Sequence, residues 1–140
     1  MQRMKIVIIL MILTFRAYAP EHKDMVIVRD APAQPYEKIW NATCYVETRF
    51  DTLAIGDTAL VEHSYGIAQI RNERLQDYYL ATGISYSVTD MFDPVKSKEV
   101  FMFYASGCDL EVIARTWNGG PTGMNKESTL EYWKLIKSQL

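Results

Sequence analysis

Residues 35–48 read Pro35-Tyr36-Glu37-Lys38-Ile39-Trp40-Asn41-Ala42-Thr43-Cys44-Tyr45-Val46-Glu47-Thr48, and their spacing decides the fold. Tyr36, Ile39, Trp40, Thr43, Cys44 and Glu47 recur at intervals of three and four, which places them on one face of a helix. Proline suits the first helical turn, so the spacing predicts a helix from Pro35 to about Thr48. Its stripe is apolar or nearly so until Glu47. An acid preceded by Cys44, Tyr45 and Val46 and followed by Phe50 resists ionisation, because burial disfavours the charged form. A carboxylic acid that keeps its proton near neutral pH is a competent general acid. The bland alternative is a solvated surface glutamate.

Downstream, the residues between Asp51 and Glu62 change character. Thr52-Leu53-Ala54-Ile55 and Ala59-Leu60-Val61 flank Gly56-Asp57, the pattern of a small hairpin or irregular β-lobe. Ser64-Tyr65-Gly66-Ile67-Ala68-Gln69-Ile70 turns back toward the core, and Asn72 with Glu73 can open a helix that ends at Gly83. Asp93-Pro94 pairs a cap with a first-turn proline and opens a helix that stops near Gly107. Asp109 is placed to cap the next helix, which runs into Trp117-Asn118-Gly119-Gly120-Pro121. Ser128 and Glu131 have capping-box spacing for a last helix carrying Tyr132, Trp133 and Ile136. The fold class is therefore α+β, mainly helical, with one small β-lobe.

Upstream, Arg3 and Lys5 precede an apolar run from Ile6 to Phe15, and Ala17-Tyr18-Ala19 has the small-x-small form of a cleavage site. Residues 1–19 read as a secretory signal peptide and 20–34 as an extended lead-in, leaving 35–140 as the folded domain. Met25-Val26-Ile27-Val28 is a strand or a tether within that lead-in. An uncleaved anchor is the alternative for the leader. Loss of Arg3, Lys5 and Arg16, with no acid among residues 1–19, would take the formal charge from −2 to −5. A mildly acidic protein without clustered Lys and Arg has no electrostatic footprint for nucleic acid. No basic amphipathic stripe points to a membrane surface beyond the leader.

A chain of 140 residues with three Trp, nine Tyr and five Phe can fill one core. Cys44 and Cys108 either pair, as export would permit, or stay as buried thiols. Two His in the whole chain make a metal cluster improbable, and no cofactor motif is present. Ser64, Gln69 and Asn118 read blandly as loop hydrogen-bonders and functionally as polar contacts in a groove. Tyr65, Trp117 and Tyr132 fit either a core or a surface on which sugars stack. Ser64 lacks the Gly-x-Ser-x-Gly setting of a hydrolase nucleophile.

Five blocks in order carry a resemblance to the lysozyme-like superfamily, and within it to soluble-lytic-transglycosylase-type domains. Glu47-Thr48-Arg49-Phe50 resembles that family's Glu-Ser-x-Phe. Ser64 to Ile70 is similar to its Gly-Leu-Met-Gln-Leu/Ile segment, with Gly66 and Gln69 at matching places. Asp90-Met91-Phe92-Asp93-Pro94 resembles Leu-Phe-Asp-Pro, Trp117 to Pro121 resembles Tyr-Asn-Ala-Gly-Pro, and Thr129-x-x-Tyr132 resembles the closing Thr-x-x-Tyr. Ala68 stands where the family prefers Met, Gly119 replaces Ala, and the spacing from Phe50 to Ser64 is irregular.

The resemblance implies a lysozyme-like fold whose β-lobe flanks a cleft, and an exported enzyme of the periplasm or extracellular space. It implies that peptidoglycan glycan strands are cut with Glu47 as the single catalytic acid and base. Ser64, Tyr65, Gln69, Trp117, Asn118 and Tyr132 would be the substrate contacts, and a cell-envelope assembly or secretion complex is a compatible partner. Two alternatives stay open. A hydrolytic lysozyme would need a second carboxylate, for which Asp51, Asp57 and Glu62 are candidates. A glycan-binding module on the same scaffold would turn nothing over.

Overall fold

Helix α1 spans Pro35–Thr48. Its Ile39, Trp40, Thr43 and Cys44 are buried, with Glu47 half-buried one turn further on. The computed structural model describes residues 35–140; the expected leader, the lead-in and its Met25–Val28 run lie outside the described residues. The helix ends because Arg49 and Phe50 both turn left-handed, with φ of 52° and 68°. The Phe50 N–H then reaches back to the Cys44 carbonyl at 3.2 Å in a Schellman-type closure. Neither residue is glycine, so the conformation is held from outside. Thr48 contributes by donating to the Ile67 carbonyl at 2.9 Å, which ties the helix end to the β-lobe.

The lobe is a three-stranded antiparallel sheet of β1 (Ile55–Gly56), β2 (Ser64–Tyr65) and β3 (Ile70–Arg71), in that order. Ile55 faces Tyr65 across β1 and β2, and Ser64 faces Arg71 across β2 and β3. The expected hairpin therefore has a different second arm. Ala59, Leu60 and Val61 form an exposed connection, and Ser64–Tyr65 takes the strand. Strand-forming residues at 59–61 have no core face to cover, whereas Ser64 gains a side-chain partner in the lobe, so tertiary context overrides local preference. Gly66 closes the turn between β2 and β3 at φ 73°. A Cβ at Gly66 would overlap the Met91 carbonyl, so only glycine fits.

Helix α2 runs Asn72–Thr82 and ends at a left-handed Gly83. A 3-10 turn at Val88–Phe92 is opened by a capping box of Ser87 and Asp90. Helix α3 is Pro94–Ala105, with the Val95 N–H donating to Asp93 Oδ1 at 2.8 Å. Helix α4 is Leu110–Gly119 and α5 is Ser128–Lys137, joined through a short 3-10 turn at Gly123–Asn125. The chain is mainly helical with one small sheet.

Three expected caps differ from the structure. Arg71, not Asn72, holds the cap position of α2; Asp109 sits at the cap of α4 but its side chain makes no capping bond. The Ser128–Glu131 box does not form. Thr129 turns inward instead, its hydroxyl donating to the Gly123 and Lys126 carbonyls, while Glu131 pairs with Lys134.

Helix α1 packs against α3, α4 and α5 around an aromatic chain of Trp40, Phe101, Trp117 and Tyr104. Cys44 and Cys108 are free thiols, and burial pushes the Cys44 thiol up to about 12, leaving it neutral and inert. Arg115 is buried, and each of its guanidinium nitrogens has a partner. Its Nε donates to Thr129 Oγ1 at 3.0 Å, its Nη1 to Glu111, and its Nη2 to the Met124 and Lys126 carbonyls.

Thr43 Oγ1 is buried without a hydrogen-bond partner among the described residues. Thr43→Val removes that cost with little change of shape and should stabilise the fold by about 1 kcal/mol, read as a higher midpoint in thermal denaturation. A lowered midpoint would mean that the hydroxyl is satisfied after all. Gly66→Ala should cost about 2–4 kcal/mol in denaturant unfolding, because a side chain meets both a left-handed backbone and the Met91 carbonyl.

Candidate active-site cleft

A cleft of about 650 Å³ opens between the β-lobe, α2 and the end of α4. Glu47 of α1 lines it together with Asp57, Ser64, Gln69 and Arg71 of the lobe. Helix α2 contributes Arg74, and the end of α4 contributes Trp117 and Asn118.

Glu47 sits in the last helical turn, where the negative end of the helix dipole opposes a second negative charge. Burial raises its pKa above the ordinary carboxylate value. The Tyr132 hydrogen bond works against that shift, the Asp57 charge adds to it, and Arg74 and Arg71 oppose it. Tyr132, buried on α5, donates its hydroxyl to Glu47 Oε1 at 2.6 Å. Burial, and then the neighbouring Glu47, hold the Tyr132 hydroxyl well above its usual pKa, so it stays a donor. Glu47 Oε2 makes no hydrogen bond among the described residues and is not sealed from solvent. With Oε1 accepting from Tyr132, the acidic proton belongs on Oε2.

The lobe wall is braced by its own side chains. Ser64 donates to Gln69 Oε1 at 2.6 Å, and Gln69 Nε2 donates to the Gly66 carbonyl at 3.0 Å and more weakly to the Ala54 carbonyl at 3.4 Å. Gln69 itself is left-handed at φ 54°, and Gly56 leaves the room that its amide occupies. Ser64 and Gln69 thus face the cleft while spending most of their polar capacity on the lobe. Trp117 is committed likewise: its indole N–H donates to the Ala68 carbonyl at 3.2 Å, and the Arg74 guanidinium lies 4.2 Å from its ring centre. Asn118 stands exposed at the rim, making no side-chain hydrogen bond to the described residues. Tyr65 is not among the lining residues; its ring meets Phe92 edge-on at 6.2 Å. Tyr132 lies behind Glu47 rather than on the cleft wall.

Of the three candidate second carboxylates, only Asp57 lines the cleft. Asp51 Oδ1 accepts from the Leu53 N–H at 2.9 Å, and Glu62 is exposed on the outer connection. Arg71 grips Asp57 Oδ2 through Nε at 3.2 Å and Nη2 at 2.7 Å. That pairing, set against a smaller desolvation effect, holds the Asp57 carboxyl below its usual pKa. Glu47 and Asp57, two of the four carboxyls that line the cleft with Glu73 and Asp77, are thus shifted in opposite directions, the pattern by which like groups take different acid–base roles.

Arg71 and Arg74 are the functional candidates that sequence reasoning missed. Nothing in a periodic pattern separates an arginine laid across a ring from one in water. Among the described residues no His, Cys, Asp and Glu side chains gather into a set that could hold a metal ion. No helix among them is long and apolar enough to cross a membrane. Comparison with protein-family models, curated proteins and solved structures returned no match.

The raised pKa of Glu47 has a consequence for stability with a definite sign. The fold binds this proton more tightly than the unfolded chain, so full stability is present below the unfolded carboxylate pKa, about 4.3. It falls as pH rises from there through the raised folded value. Glu47→Gln should therefore be more stable than wild type at pH 7.5, with the gap closing toward about pH 4. Thermal melts of both proteins across that range check it, and a variant that is less stable at pH 7.5 would contradict the burial argument.

Proposed function

We propose that this chain is a lysozyme-like, peptidoglycan-cleaving enzyme, working as a lytic transglycosylase on the β-1,4 bond between N-acetylmuramic acid and N-acetylglucosamine. The observation that carries the reading is Glu47: an acid in an apolar helix turn, held through Oε1 by Tyr132, with Oε2 left to the cleft. Three of the five blocks of resemblance contribute residues to the cleft lining. Together the five supply the end of α1, the β2–β3 turn, the opening of α3, the cleft wall after α4, and the helix carrying Tyr132. The reading requires export, for which the Arg3–Ala19 segment is the proposed signal.

In this mechanism the Glu47 Oε2 proton passes to the glycosidic oxygen as the bond to the muramoyl anomeric carbon breaks. Tyr132 stabilises the carboxylate that forms, because its hydroxyl already points at Oε1. That carboxylate then takes the proton of the muramoyl 6-hydroxyl, whose oxygen bonds to the anomeric carbon. The product is a 1,6-anhydro end, no water is consumed, and Glu47 returns to its starting protonation. The lobe bracket of Ser64, Gln69 and Gly56 keeps one wall rigid, so the acid and the bond are held in register.

A hydrolytic reading is favoured by Asp57, which lines the same cleft with its pKa held below the usual carboxylate value by Arg71. Against it stands the Arg71 pair, which already occupies that carboxylate. Digestion of peptidoglycan followed by mass spectrometry separates the two, since anhydro ends lack one water. Glu47→Gln should lose about 10²–10⁴-fold in rate, the usual range for a general acid. Equal activity of wild type and variant, or none from either, removes the catalytic assignment. Asp57→Asn should stay within about tenfold of wild type, whereas a loss on the scale of Glu47→Gln would make Asp57 the second carboxylate of a hydrolase.

A further inference from the structure

Arg74 and Arg115 both lie against the core, yet they are treated differently. Every guanidinium nitrogen of Arg115 has a partner, and Glu111 neutralises it. Arg74 uses only Nη2, which donates to the Thr116 carbonyl at 3.1 Å and the Trp117 carbonyl at 2.6 Å. Its plane rests against Trp117 at 4.2 Å and Tyr104 at 5.0 Å. Its Nε and Nη1 make no hydrogen bond among the described residues, are not sealed from solvent, and belong to a residue that lines the cleft. No carboxylate among the described residues stands within ion-pair reach of it. Of the cleft's other cations, Arg71 is paired with Asp57, and Lys126 is an exposed ammonium that donates to the Gly119 carbonyl at 2.6 Å and lacks the planar fork.

A guanidinium taken partly out of water without a carboxylate is costly, and ring contacts and carbonyls offset that cost only in part. What remains is a pre-oriented cation with unused donors facing a ligand-sized space. Such a group recognises an anion, and a carboxylate is the anion its geometry suits best. We propose that Arg74 is a specificity-determining residue that selects glycan strands bearing a carboxylate on the muramoyl sugar over neutral chitin-type strands. The proposal rests on the reading of the cleft as a glycan site. Two sources offer that chemistry, the lactyl carboxylate of a peptide-free strand and the carboxylates of a stem peptide.

Calorimetric titration of the Glu47→Gln protein tests it, because the ligands survive. Three probes are compared: chitotetraose, a peptide-free muramoyl tetrasaccharide, and the same tetrasaccharide carrying its stem peptides. One or both carboxylate-bearing probes should bind about tenfold tighter than chitotetraose, and which of them does so identifies the source. Adding Arg74→Gln should bring the ratio close to one. Arg74→Lys, which keeps the charge and gives up the planar fork, should lower the ratio without abolishing it, and it carries the test should the glutamine variant fail to fold by circular dichroism. Equal affinity for all three probes overturns the proposal while leaving glycan cleavage standing, as does a preference that survives in both Arg74 variants. Failure of the parent to bind any of the three removes the glycan reading and this proposal with it.

Discussion

One hydrogen bond joins the two ends of the described chain: Tyr132 Oη to Glu47 Oε1, across 85 residues of sequence. It sets which oxygen of the acid faces the cleft and fixes α5 against the last turn of α1. Burial alone would leave Glu47 a reluctant acid with two equivalent oxygens. The phenol differentiates them and opposes part of the desolvation penalty, so the group can give up its proton and take one back. The pairing also leaves the buried acid on the helices and one wall of the cleft to the lobe.

The lobe earns its rigidity from a small set of non-repetitive contacts. Three two-residue strands are too short to hold together by backbone pairing alone. The amide of Gln69, the hydroxyl of Ser64 and the empty side of Gly56 interlock, and Thr48 fastens the assembly to α1. Left-handed residues at 49, 50, 57 and 69 mark where the chain bends to make this possible. Such strain persists where surrounding contacts over-determine it, and here it borders the cleft on two sides.

Much of the helical scaffold was legible in the residues. Pro35, the Asp93-Pro94 pair and Gly83 are local signals whose mechanism acts within a turn, and the helices begin and end there. Asn72 and Asp109 marked where their helices open, but the side-chain bond at Asp109 and the Ser128 box were not legible, because such a bond needs the preceding turn to approach correctly, and that approach is set by tertiary contacts such as those of Thr129. Strand pairing in the lobe failed for a related reason: Ala59 to Val61 look like a strand, but nothing lies beneath them. At the site, Glu47 stood out through periodicity, while Tyr132 was legible only as a core or stacking aromatic and its bond to Glu47 was not. Arg74 had no signature at all, since an arginine covering an indole and one reaching into water are written with the same letter.

The full partnering of the Arg115 nitrogens has an outcome for anyone searching this chain by random mutagenesis. Its guanidinium staples the turn at Gly123–Asn125 to Thr129, and so seats the helix from which the phenol reaches the acid. Truncating it would loosen that seat and leave the Met124 carbonyl without its partner, disturbing the Tyr132–Glu47 bond from a position outside the cleft lining. Under the function proposed above, a genetic screen scored on lost activity would then rank Arg115 beside Glu47. Only a fold-sensitive readout would tell the residue that seats the helix from the acid that the helix's phenol meets.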